Sequence, residues 1–240
     1  MFFFDPTYLI FMVPAFILMS LASWYVKSSY NKWSQVPARS GLTGAQAAQR
    51  LISNVSYSTQ EAANLRDVRV VGIGGNLSDH YDPRDKTLRL SPGVANSASV
   101  AALAIAAHEL GHAIQDAEGY GPMRLRAALV PAVNIGSTLG WILILIGLFL
   151  RWTDIAWLGV LVFSGGALFA LATLPVELNA SARAKQLLAH SGIIQGEQEQ
   201  RGVNTVLNAA ALTYVAGLAT AVLQLFYYVL LVGGLGRRRD

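Results

Sequence analysis

Ser97-Ala98-Ser99-Val100-Ala101-Ala102-Leu103-Ala104-Ile105-Ala106-Ala107-His108-Glu109-Leu110-Gly111-His112-Ala113-Ile114-Gln115-Asp116-Ala117-Glu118 is the stretch around which the chain is organised. Ser97 or Ser99 can cap its start, and the alanine-rich run has high helix propensity. His108 and His112 are four apart, so on a helix both imidazoles leave one face about a turn apart. That spacing lets two ring nitrogens bind one zinc ion. Glu109 lies beside the pair, placed to act on a water rather than to ligate. A chance His-Glu-x-x-His occurs in many helices. Here charge is scarce, at 13% of residues, yet a glutamate and two of only four histidines sit in an apolar helix. Burying them unpartnered costs roughly several kcal/mol, which a metal would offset.

A chain of 240 residues makes one or two domains. Its 53% hydrophobic content and mean hydropathy of +0.42 point to membrane spans. With no cysteine there is no disulfide, thiol nucleophile or thiolate zinc site, so zinc must be held by His, Glu or Asp. The net charge of +4 is scattered and forms no aromatic-interleaved basic stripe, which argues against nucleic acid.

Working outward, residues 7–26 form a first apolar run, from Tyr8-Leu9-Ile10-Phe11 to Ser23-Trp24-Tyr25. About 20 residues span a bilayer core of about 30 Å. The start Met1-Phe2-Phe3-Phe4-Asp5 is not the basic start of a signal peptide, so an uncleaved anchor is expected. Residues 27–96 are more polar. Thr43-Gly44-Ala45-Gln46, followed by Ala47, Ala48, Leu51 and Ile52, predicts a capped helix, and Gln60–Leu65 a short one. Val68–Val71 and Thr87–Leu90 predict strands, the second after the turn Asp82-Pro83-Arg84-Asp85. The Thr87 strand immediately precedes the metal helix, and by analogy with zinc peptidases its free edge would take a substrate backbone. His80 reads first as a solvated loop histidine and second as a residue at the rim of the site.

Gly119, Gly121 and Pro122 end the metal helix. Apolar runs at about 129–150 and 155–174, joined by Arg151-Trp152-Thr153-Asp154, predict a transmembrane hairpin. Pro175 marks a break or kink. Val176–Ser191 predicts a helix, Gln195–Arg201 a polar loop, and 209–233 a fourth span before Arg237-Arg238-Arg239. Four spans put both termini on one side, with Arg151 and that arginine triplet. The other fourteen of the 18 basic residues lie opposite, which places the metal helix in the cytoplasm, against the pull of the triplet.

A catalytic zinc uses three protein ligands. Glu118 stands where metzincins place their third ligand, but that geometry needs a glycine at position 115, where this chain has Gln115. Glu177, in Leu174-Pro175-Val176-Glu177, is the better candidate, because the hairpin returns the chain to the side of His108. Its rival reading is an interfacial glutamate held by Arg183 or Lys185.

Four blocks now carry a resemblance over nearly the whole chain: Ser78-Asp79-His80-Tyr81-Asp82-Pro83 with Leu88-Arg89-Leu90-Ser91; Ala106-Ala107-His108-Glu109-Leu110-Gly111-His112-Ala113-Ile114-Gln115; Leu174-Pro175-Val176-Glu177; and Val206-Leu207-Asn208-Ala209-Ala210-Ala211-Leu212-Thr213-Tyr214-Val215. The chain resembles the YugP-type neutral zinc metallopeptidases of bacterial membranes. Its arrangement is also similar to the gluzincin HtpX and CAAX-prenyl proteases. The resemblance implies that His108, His112 and Glu177 bind zinc and that Glu109 is the base. Those gluzincins carry an aspartate four residues after the ligand glutamate; Ser181 stands there in this chain, with Asn179 and Arg183 nearby.

The resulting expectation is a mainly α membrane protein with about four transmembrane helices and a zincin-like α+β metalloprotease domain at the membrane surface. The expected divisions are an N-terminal anchor (1–26), a zincin-like domain (27–128), the hairpin (129–174), a ligand-bearing helix with a polar loop (175–208), and a last span with a basic tail (209–240). The expected activity is that of a multi-pass, zinc-dependent endopeptidase of the bacterial inner membrane. Its partners are the lipid bilayer and a protein or peptide substrate, with no nucleic acid; homo-oligomerisation and a membrane partner protein are left open. Tyr214, His190, His80 and Arg183 are candidate oxyanion donors. The competing class is a membrane scaffold with a structural zinc, for which His80 or His190 would supply a fourth ligand.

Overall fold

The structure, a computed structural model, describes residues 6–56 and 65–236. The Gln60–Leu65 helix, apart from Leu65, and the Arg237–Arg239 tail lie outside them. Over the described residues the protein is mainly α, 78% helical, with one small sheet. In order the elements are α1 (Pro6–Ser34), α2 (Gly44–Ser56), β1 (Arg69–Gly72), β2 (His80–Asp82), β3 (Thr87–Leu90), α3 (Pro92–Ala95), α4 (Val100–Ala117), α5 (Gly121–Phe149), α6 (Thr153–Phe163), α7 (Gly165–His190) and α8 (Gly196–Gly236). Among the described residues, four helical stretches are long and apolar enough to cross a membrane: α1, α5, Thr153–His190 and Gly196–Gly234.

The chain packs as two units. One takes in Met1–Ser23, Arg124–Pro175 and Thr213–Asp240. Within it α5 and α6 form the expected hairpin, turning at Arg151, which takes a left-handed φ of 53°. The two helices touch through glycine. A Cβ on Gly159 would stand 2.6 Å from the Ile144 backbone nitrogen, and one on Gly147 would strike the backbone of Ala156. Such small-residue contacts are how helices approach closely where apolar burial gives no driving force. Helices α6 and α7 meet at Ser164, before Gly165-Gly166, and Pro175, expected to mark a break or kink, lies inside α7 without ending it. One expectation about the later chain fails. The segment expected as a polar loop, 195–201, is helical from Gly196, because the buried Glu199 carboxylate accepts the Gln195 and Arg39 backbone N–H groups, each at 2.6 Å.

The other unit takes in Trp24–Met123 and Val176–Leu212. Helix α2 starts with a reciprocal cap: Gln46 N–H donates to Thr43 Oγ1 (3.3 Å) and Thr43 N–H to Gln46 Oε1 (3.0 Å). Its Ala47, Ala48, Leu51 and Ile52 are buried in one core with the apolar residues of α4, and Ala184 and Leu188 of α7 join them. The sheet has order β1-β3-β2, with β1 parallel and β2 antiparallel to β3. Sequence reading missed β2, which is three residues long and polar at both ends. As a result the Thr87 strand is central and has no free edge, and α3 separates it from α4. The edge nearer the site belongs to β2.

Candidate metal centre

Helix α4 begins at Ser99, whose Oγ accepts the Ala102 N–H (3.3 Å). It is buried along most of its length, so His108 and His112 leave an apolar rod. Their rings meet edge to face, centroids 4.8 Å apart. Gly111, between them, is where α7 crosses: a Cβ there would stand 2.7 Å from the Ala180 carbonyl oxygen. That close approach brings Glu177 to the histidines. Its Oε2 lies 3.3 Å from His108 Nε2 and 3.5 Å from His112 Nε2, and Glu177 is only 2% exposed.

These spacings fit zinc. Donors about 2.0–2.1 Å from a tetrahedral zinc stand about 3.3 Å apart. The three donor atoms lie within 4.8 Å of one another, and they are the one such His/Asp/Glu group among the described residues. The outer ring nitrogens are held as well. His112 Nδ1 is 3.0 Å from Gln115 Oε1, and His108 Nδ1 is 3.2 Å from Ser181 Oγ. A hydroxyl thus faces the outer nitrogen of His108. Burial works against a charged His112, but its contact with Glu177 and the nearby Glu109 charge outweigh it, so its pKa is raised from 6.5.

Glu109 is buried, and its Oε2 accepts the Tyr81 backbone N–H of β2 (3.0 Å). The Tyr81 hydroxyl donates to Asp116 (2.9 Å); burial and that bond raise the Tyr81 pKa. Several of the remaining candidates have partners of their own. Glu118 accepts both Arg183 amino groups (2.8 and 2.6 Å), and Lys185 donates to Asn208 (2.7 Å). Arg183 and Lys185 thus have partners other than Glu177, and Glu118 lies outside the group of converging donors. His80 and His190 are exposed, their Nδ1 atoms 2.8 Å from the Ser78 and Gln186 carbonyls. Tyr214 belongs to the other unit. Sequence reading passed over Gln115 except as a non-glycine, and gave Tyr81 no role.

The family described as "Putative neutral zinc metallopeptidase" matches residues 8–233. The chain belongs to that family. It is also 42% identical over 210 residues to "Putative membrane protease YugP" of Bacillus subtilis (strain 168), covering 88% of this chain and 89% of the relative. No solved structure matches it significantly. The zinc in the family's description agrees with the donor set of two imidazoles and one carboxylate.

Proposed function

We propose that the protein is a multi-pass membrane zinc endopeptidase that hydrolyses peptide bonds of membrane or membrane-proximal proteins. The observation that carries this is the convergence of His108 Nε2, His112 Nε2 and Glu177 Oε2, with Glu109 buried one residue along. Zinc bound there supplies a Lewis acid that lowers the pKa of water and polarises a carbonyl. Glu109 accepts the proton of the attacking water and delivers it to the leaving nitrogen. The Tyr81 N–H fixes one oxygen of that carboxylate and so aims the other. The four long apolar helices support a membrane setting, and the excess of basic residues between the spans supports a cytoplasmic site.

The scaffold reading needs a fourth protein ligand. Its two suppliers, His80 and His190, lie outside the group of converging donors. The test is cleavage of an unfolded membrane-protein substrate by the purified protein. Chelation should abolish cleavage and zinc restore it, and Glu109→Gln should be inactive while still holding zinc. Cleavage by Glu109→Gln at the wild-type rate would reject the mechanism.

A further inference from the structure

We infer that Gln115 is a positioning residue that sets the tautomer of His112 in the metal centre. The inference rests on the zinc reading of His108, His112 and Glu177.

Gln115 is fully buried on α4, one turn after His112. Its Nε2 lies 2.8 Å from the Val176 carbonyl oxygen and 2.9 Å from Asn179 Oδ1, both on α7. A backbone carbonyl can only accept, so the group facing Val176 must be the amide NH2. Asn179 is oriented in the same sense. Its Oδ1 faces Arg183 Nε at 2.7 Å, and a guanidinium can only donate. Arg183 is in turn gripped by both oxygens of Glu118. Both hydrogens of the Gln115 amide are therefore spent on α7.

The amide oxygen is left facing His112 Nδ1 at 3.0 Å, and it can only accept. Nδ1 must carry the hydrogen, so the Nε2 lone pair points at Glu177 and is free to ligate. Every bond in the series Glu118–Arg183–Asn179–Gln115–His112 has one permitted direction. His108 has no such constraint, because the Ser181 hydroxyl can donate or accept. The bonds to Val176 and Asn179 act here by orienting the amide, so that its oxygen faces His112.

The test measures zinc affinity by chelator competition for the wild type, Glu177→Gln, Gln115→Met and Gln115→Glu in the full chain. Methionine keeps the volume and removes the bonds. Glutamate keeps the acceptor for His112 and loses both donors to α7. Loss of such a partner weakens metal binding by about 10–100-fold, so Gln115→Met should bind zinc at least about tenfold more weakly than Gln115→Glu. A residue that merely joined the helices would not be rescued by glutamate, and a smaller gap overturns the assignment. Should Gln115→Met not fold, Gln115→Glu within about tenfold of wild type supports it and a larger loss overturns it. A wild type without zinc, or a Glu177→Gln that binds as tightly, brings down the metal reading itself. With those two behaving as expected, a failure at position 115 brings down this assignment alone.

Discussion

Gly111→Ala should damage the metal centre even though it improves the helix. Alanine in a helix interior is favoured over glycine by about 1 kcal/mol. Against that, the new Cβ would stand 2.7 Å from the Ala180 oxygen and 3.1 Å from its Cα, where ordinary contact begins at 3.4 Å. The neighbour is backbone, so α7 itself must retreat by about 0.7 Å. Overpacking of this kind costs about 1–3 kcal/mol, for a net loss of about 0–2 kcal/mol in the zinc-free protein. In a chain of this size that lowers Tm by up to about 4–8 °C. The larger effect is on function. Glu177 lies one turn before Ala180 on α7 and moves with it, so its distances of 3.3 and 3.5 Å to the histidines grow. A misplacement approaching 1 Å costs on the order of 100-fold in catalysis. The assays are thermal unfolding of the metal-free protein and zinc affinity by chelator competition. A variant with raised Tm and unchanged zinc affinity would refute the close crossing of α4 and α7.

Glu118→Gln should keep zinc and cost under about 1 kcal/mol of stability, since the Glu118–Arg183 pair is partly exposed; loss of zinc in that variant would return Glu118 to the ligand set. The raised pKa of His112 gives the metal-free protein a stability contribution that is fully present below the ordinary value of 6.5 and fades as pH rises through the raised one. Zinc must displace that proton, so the Tm gain on adding zinc should widen from about pH 6 to about pH 8. A gain that is flat or narrows with pH contradicts this.

The site was legible in the sequence where a short-range pattern carried it. His108, Glu109 and His112 are set by helical periodicity alone, and Ser99 and Thr43 cap where their side chains predict. Glu177 lies 65 positions beyond His112, and the sequence favoured it over Glu118 only indirectly, through Gln115 at the glycine position and the hairpin that returns the chain. The choice depends on Gly111 letting α7 approach, a contact that appears only when two helices are packed. β2 was missed because His80-Tyr81-Asp82 is too short to show alternation, and with it went the Tyr81–Glu109 bond. At Pro175 the local rule offered a break or a kink, and α7 continues through it, so the break is the alternative the structure sets aside. Gln115 was legible as a neighbour of His112 three residues on, but its amide direction depends on acceptors from α7.

The most direct test of the account is the zinc content of purified wild type and Glu177→Gln by elemental analysis. The account predicts about one zinc per chain in wild type, from three protein ligands at a single site, and its loss in Glu177→Gln. Full retention of zinc by Glu177→Gln would contradict it, because the third ligand would then lie elsewhere.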